Sequence, residues 1–310
     1  MRAVFFGTPD IGVPALEALA GRFEVVAVIC QPDRPAGRGM KLRPPPVKER
    51  ALALGLEVHQ PTKVRTAAFA EWLRSLEADV ALVIAYGRIL PQAVLDAPRR
   101  GCMNLHASIL PKYRGAAPIN WAIVHGESET GVALMQMDAG MDTGPVFHTR
   151  RIAIGPDETA GELYARLGEL AREVVALDLE RAVSGELVAE AQDHAAASMA
   201  PMLKKEDGAV DFARKAAAVH DHARGMTPWP GAHTTIEGKP FKVLRTRLGA
   251  REGSLGAPGE VIAVTRDHVE IRCGEGSLWL LEGQVAGKKA LAAAQLVAGR
   301  TLAVGTKLGS

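Results

Sequence analysis

Short apolar runs and helix-spaced segments alternate through the first half of the chain. Residues 3–6 and 25–30 (VVAVIC) are rich in Val and Ile, and the stretch between them carries Leu16 and Leu19 at helical spacing after Pro14. That is strand, helix, strand, the grammar of a parallel sheet. The pattern repeats. Pro46 opens a helix over VKERALALG, FAEWLRSL reads as another, and DVALVIAY is a continuous apolar strand of the kind buried on both faces. GCMNLHAS and GVALMQMD supply two further strands flanking the helix-like APINWAIVHG. The expected fold of this half is α/β, a Rossmann-like, mostly parallel sheet.

Residues 159–185 begin Thr-Ala-Gly-Glu, a capping-box pattern, and continue with Leu163, Leu167, Leu170, Val174 and Leu177 at helical spacing as far as Gly185. Residues 186–208 are then Ala-rich and polar without a period, which suits a linker. Beyond a short helix over 211–224, the segments PFKVLRTR, GEVIAV, HVEIRC and SLWLLEGQ alternate apolar and polar between Gly-rich turns. This is the pattern of a small antiparallel, OB-like β-barrel. The expected organisation is an α/β domain over 1–185, a linker over 186–208 and a C-terminal barrel domain over 209–310.

Composition narrows the partners. With 37 Lys and Arg against 35 Asp and Glu, the net charge is +2, so any contact with a polyanion is local. Cys30, Cys102 and Cys273 lack CxxC spacing, which fits a reduced compartment, the cytoplasm, and neither a disulfide framework nor a metal site. MRAVFFGTPD reads as a first strand and not as a leader, and VALVIAY is far too short to span a membrane, so a soluble protein is expected. GTPDIG has one of the three glycines a dinucleotide fingerprint wants, and no P-loop occurs, so neither NAD nor ATP is indicated. His220 and His222 point apart on the 211–224 helix, which favours a surface role over a metal site. No heptad or exposed apolar stripe is evident, and a monomer is expected.

Candidate chemistry gathers in NLHASILPKYRGAAPI, residues 104–119. In a strand, Asn104 and His106 present a carboxamide and an imidazole on one face, at a strand end where α/β sheets bind ligands. The alternative is a core histidine bonded to backbone. The next strand end, MDAGMDTG, offers Asp138 and Asp142 in a Gly-bracketed loop expected to open on the same side of the sheet. A carboxylate there would favour an imidazolium at His106, whereas a plain turn would use the same residues for Asx caps and positive φ. Both readings are open on spacing alone. Cys102 has no evident basic partner and Ser108 lacks a G-x-S-x-G elbow, so neither reads as a nucleophile.

Together with AYGRILP (85–91), QPDRPAGRGMKL (31–42), GTPD (7–10), MQMDAGMDTG, MTPWPGA and AGKKAL, this stretch resembles the methionyl-tRNA formyltransferase family. The resemblance runs in unbroken order along nearly the whole chain. It implies transfer of a formyl group from 10-formyltetrahydrofolate to the α-amino group of methionyl initiator tRNA, for translation initiation, with no metal. The family's catalytic triplet maps onto Asn104, His106 and Asp142. Its folate contacts map onto Ser108, Ile109, Leu110 and Pro111, with Tyr86 and Gly87 lining the same cavity.

The chemistry suits these residues. An α-amino group with a pKa near ~8 is already partly neutral, so no strong base is needed. Asn104 and a protonated His106 would donate to the oxyanion formed on addition, each contact being worth roughly 3–4 kcal/mol. Asp142 would keep His106 charged and help move protons between amine and leaving nitrogen, which implies direct transfer without an acyl-enzyme. For the tRNA, Arg34, Arg38, Lys41, Arg43 and Lys48 form a basic Gly/Pro-rich loop, in which the resemblance singles out Arg38. Lys204 and Lys205 are a second basic group, Lys205 matching a family lysine near the acceptor end. Lys242, Arg245, Arg247, Lys288 and Lys289 on the barrel are further phosphate candidates.

Overall fold

A computed structural model of the chain describes residues 1–36, 41–249 and 256–309. The chain divides into two compact units, the first comprising Met1–Gly115, Thr130–Ile152 and Tyr164–Met199, the second Ala116–Glu129, Ala153–Leu163 and Ala200–Ser310. Composition along the chain carries no trace of the two excursions at 116–129 and 153–163.

The first unit is built on a seven-stranded sheet of β1 (Arg2–Gly7), β2 (Glu24–Ile29), β3 (Val58–His59), β4 (Val80–Ile84), β5 (Cys102–His106), β6 (Glu129–Gln136) and β7 (Val146–Ala153). The spatial order is β7-β6-β5-β4-β1-β2-β3, with β1 to β5 paired in parallel and β6 antiparallel to β5. The mostly parallel sheet is therefore as the sequence pattern indicated. Every residue of β4 is buried, because helices cover both faces of a parallel sheet. One of these covering layers packs Phe69 and Leu73 with Val4, Ile29, Ala81 and Cys102.

Helices α1 (Val13–Ala20), α2 (Pro46–Ala53) and α3 (Ala67–Ser75) fill the crossovers. Pro46 begins α2, where its missing N–H costs nothing, and the Thr66 hydroxyl caps α3 by accepting from Phe69 N at 3.2 Å. Strand β7 was not legible in the sequence. It lies at the sheet edge, and its run VFHTRRIA is only partly buried or exposed throughout.

The capping box at Thr159 is present. Thr159 N and Oγ1 both donate to the Glu162 carboxylate at 2.9 Å, while Glu162 N donates back to Thr159 Oγ1 at 3.3 Å. It opens Ala160–Val174, which runs through a π turn, Val175–Leu179, into Glu180–Ser184. Gly185 ends the helix at φ +86°, a left-handed cap open to glycine without a Cβ penalty. The π turn carries Asp178, 1% exposed, which accepts from Arg150 Nε and Nη2 at 2.7 and 2.9 Å.

In the second unit β8 (His233–Ile236), β9 (Lys239–Leu248), β10 (Val261–Val264), β11 (Val269–Arg272) and β12 (Ser277–Val285) form an antiparallel sheet ordered β8-β9-β12-β11-β10. Residues 307 and 308 bridge to Glu260 beside β10 and to Ile236 of β8, joining the two sheet edges as the expected small barrel requires. The helix expected from 211 starts only at Ala216, because Asp211 caps Ala213 N locally and Ala216 N bonds to Glu275 O. His220 on that helix is not a surface residue. It is 3% exposed, with Nε2 donating to Pro156 O at 2.9 Å and Nδ1 2.8 Å from Thr246 Oγ1. Its two partners come from segments about 64 and 26 positions away, which helix periodicity does not reveal.

Candidate active site

Strand β5 ends the parallel part of the sheet and sets Asn104 and His106 on one face. His106 is 5% exposed, and its Nε2 lies 2.9 Å from Tyr113 O. A carbonyl only accepts, so Nε2 carries a proton and Nδ1 is the atom turned toward Asp142, whose Oδ2 lies 3.6 Å away. That is an ion-pair approach and not a hydrogen bond. The same Oδ2 accepts from Gly115 N at 2.8 Å. Asn104 is half-buried, and its carboxamide has no hydrogen-bond partner among the described residues, which leaves it available to a ligand.

The two acids of the Gly-bracketed loop separate cleanly. Asp138 is taken by its own loop, accepting from Thr143 Oγ1 at 2.7 and 2.9 Å and from Gly140 N at 3.0 Å. Asp142 is held at φ +52° and reaches His106. The loop does not, however, start at the carboxyl end of β5. Because β6 is antiparallel, Gln136 lies opposite Met103 and Ala133 opposite His106, so the loop begins at the far end of β5 and bends back along it. Gly144 makes the bend possible, since a Cβ there would sit 2.0 Å from Gln136 O.

The segment 186–208 contributes contacts that its composition hides. Gln192 Nε2 donates to Asp142 O at 2.9 Å and to Gly144 O at 2.7 Å, while its Oε1 accepts from the buried Arg114. Tyr113 N donates to Ser198 Oγ at 3.0 Å. No sequence signal marked Arg114, Gln192 or Ser198 as neighbours of the site.

The other expected site residues distribute as follows. Ser108 is fully buried, its hydroxyl donating to Lys112 O at 2.7 Å. Ile109 is half-buried, and Leu110 and Pro111 line a cavity of about 390 Å³ with Val146, His148 and Gln192. The Tyr86 ring lies in the core, edge-on to Phe6 at 5.2 Å, with its hydroxyl unpartnered and burial pushing its pKa up to about 12. The Tyr86 carbonyl accepts from Thr8 Oγ1 and Gln31 Nε2, and Gly87 beside it is exposed at φ +80°. Cys102 is fully buried, which pushes its thiol up to about 12 and suits the expectation that it is no nucleophile.

The sheet changes direction of growth at β1, where β2 and β4 lie on either side, and ligands favour such a point. A cavity of about 650 Å³ sits there, lined by Thr8, Pro9, Gln31, Pro32, Arg34 and Arg43 among others. Arg34 and Arg43 are exposed and belong to two short paired strands, Arg34–Ala36 and Lys41–Arg43. Arg38 and the Lys41 side chain lie outside what is described. Lys48 is not a free cation, because it is held by Asp33 at 2.8 Å and by Gln60. On the barrel Arg245 and Arg247 are likewise paired, with Glu162 and Asp157. Lys205 is exposed in the turn Lys205–Gly208. Among the described residues no group of three or more His, Cys, Asp or Glu is placed to hold a metal ion, and no helix is long and apolar enough to cross a membrane.

A carboxylate and an imidazole bearing a proton thus lie together by β5, on the strand face that also carries an amide without a partner among the described residues, a set of groups able to donate hydrogen bonds to a developing oxyanion. The chain belongs to the formyl transferase family: residues 1–178 match the formyl transferase domain and residues 202–301 the formyl transferase C-terminal domain. It is 62% identical over 310 residues to the methionyl-tRNA formyltransferase of Sorangium cellulosum, covering 100% of each chain. Among solved structures it shares the fold of the methionyl-tRNA formyltransferase from Clostridium thermocellum (TM-score 0.56, 14% identity, 80% of this chain and 94% of that one). It also shares the fold of HypX from Aquifex aeolicus in complex with tetrahydrofolic acid (TM-score 0.63, 20% identity), where it covers 98% of its own length and about half, 48%, of that chain.

Proposed function

We propose that this protein transfers the formyl group of 10-formyltetrahydrofolate to the α-amino group of methionyl initiator tRNA, acting as a monomer in the cytoplasm. The observation that carries the reading is the His106–Asp142 approach at 3.6 Å beside the unpartnered Asn104, in a chain 62% identical over its full length to a methionyl-tRNA formyltransferase. The neutral amine attacks the formyl carbon directly. Asn104 and His106 donate to the oxyanion of the tetrahedral intermediate, and the developing negative charge draws on donors already in place. Asp142 balances the imidazolium. Collapse of the intermediate sends a proton to the departing folate nitrogen and releases the formamide, with no formyl group resting on the enzyme.

The folate is assigned, as the family resemblance implies, to the surface around Ser108, Ile109, Leu110 and Pro111 together with Tyr86 and Gly87. Since the Ser108 hydroxyl, the Tyr86 ring and Leu110 are all buried, their contribution is to shape the wall, and Ile109, Pro111 and Gly87 offer the more accessible surface. The acceptor end of the tRNA is assigned to Arg34, Arg38, Lys41 and Lys205, with the α/β domain (1–185) carrying the chemistry and the barrel domain (209–310), beyond the 186–208 linker, adding backbone contacts. Arg34, Arg43 and Lys205 are exposed and available for phosphates, whereas the paired Lys48, Arg245 and Arg247 are not.

The test is the rate of formyl transfer from 10-formyltetrahydrofolate to methionyl initiator tRNA, with a ribonucleotide amine and an amino sugar nucleotide as parallel acceptors. Turnover of the charged tRNA alone is expected. Turnover of a small amine without the tRNA would overturn the acceptor assignment while keeping the site.

A further inference from the structure

The hydrogen bonds around Asp142 form one directed chain. Arg114 is 6% exposed, and among the described residues it has no carboxylate partner. Its Nε and Nη2 donate to Gln192 Oε1 at 3.1 and 2.6 Å, and Nη2 also lies 3.1 Å from His194 Nδ1, which must accept. A guanidinium only donates, so it dictates which end of the Gln192 carboxamide faces it. The amide nitrogen is thereby turned the other way, onto Asp142 O and Gly144 O. These two carbonyls bracket the bend in which Asp142 takes φ +52°, a left-handed conformation uncommon for residues other than glycine, although aspartate tolerates it better than most. From that conformation the Asp142 carboxylate meets Gly115 N and approaches His106 Nδ1.

We infer that Gln192, oriented by the buried Arg114, is a positioning residue that holds Asp142 in register with His106. The inference rests on the reaction proposed above. A glutamine at 192 serves because it is the one side chain of this length that both accepts from an arginine and donates to two carbonyls. A merely structural tie would need no such polarity.

The discriminating variant is Gln192→Glu. It keeps the length, gives Arg114 a carboxylate and deletes both donors to the loop. Expected are a kcat at least about tenfold below the parent, KM values for both substrates within about threefold, and a thermal midpoint no lower than the parent's, since small misplacements of a reacting group cost rate before they cost binding. Gln192→Met, equally long and without donors, should lose kcat to a similar degree. In Arg114→Ala/Gln192→Ala, the double variant should cost no more kcat than the worse single change, because both act along one path.

Parent-like kcat in both Gln192→Glu and Gln192→Met, or a loss confined to KM, would overturn the inference. Asp142→Asn is measured alongside. If that variant is impaired and the Gln192 variants are not, only the positioning role fails. If Asp142→Asn is itself fully active, the proposed mechanism fails with it.

Discussion

Asp142→Asn is the sharpest probe of the chemistry. The substitution keeps the size of the side chain, and the amide oxygen can still accept from Gly115 N, whose bond to Oδ2 is 2.8 Å long. What disappears is one negative charge 3.6 Å from His106 Nδ1. Two unit charges at that separation attract by about 4–5 kcal/mol at an effective dielectric constant near 20. The Asp142 side chain is 19% exposed, so water weakens the attraction, and about 3 kcal/mol is the share expected in the transition state. That corresponds to roughly a hundredfold in kcat. Because the charge acts through His106 on the oxyanion-bearing transition state and not on either bound substrate, KM should stay within about threefold of the parent. Single-turnover formyl transfer at saturating donor, with KM measured separately for each substrate, reads both quantities. A kcat within about threefold of the parent, or a loss confined to KM, would refute the assignment of Asp142 as the partner of a charged His106.

Three further outcomes are expected. Arg150→Ala strips the two hydrogen bonds from Asp178, which is 1% exposed, and should cost about 3–5 kcal/mol in urea unfolding, whereas replacing both partners by apolar residues should recover most of it. Glu162 is held down to about 2, first by its bonds to Arg245 and then by the Thr159 backbone, so its contribution to stability is full above about pH 4.5 and fades as pH falls toward 2. The pair is about half exposed, and Glu162→Gln should therefore cost only ~1 kcal/mol at pH 7, a difference from the parent that closes by about pH 2 in chemical denaturation. For the tRNA, Arg38→Ala should raise KM for the charged tRNA several-fold and lower the slope of log affinity against log salt by about one, leaving KM for the folate unchanged, and equal salt slopes for both substrates would remove the basic-loop assignment.

The chain itself announced most of its secondary structure. The Thr159–Glu162 box, Pro46 at the start of α2, Gly185 at the end of the long helix and the unbroken apolar run of β4 all appeared where local pattern placed them. So did the shared face of Asn104 and His106, since strand alternation needs only the residue between them. These features depend on neighbours a few positions away, which is the range over which backbone geometry and capping operate.

Which acid meets His106 was a different kind of question. Asp138 and Asp142 are equivalent in local pattern; the family resemblance pointed to Asp142, and the antiparallel register of β6, the fold-back at Gly144 and the capture of Asp138 by Thr143 supply the physical separation. The Arg114–Gln192–Asp142 chain joins residues 78 and 50 positions apart, through a segment whose composition reads as linker. The burial of His220 and the pairing of Lys48, Arg245 and Arg247 likewise followed from partners distant in the chain. Local sequence determined what each segment is and which of its faces is polar. Tertiary packing decided which polar groups met, because a hydrogen bond or ion pair between distant segments exists only once register and loop path have brought both partners within about 3 Å.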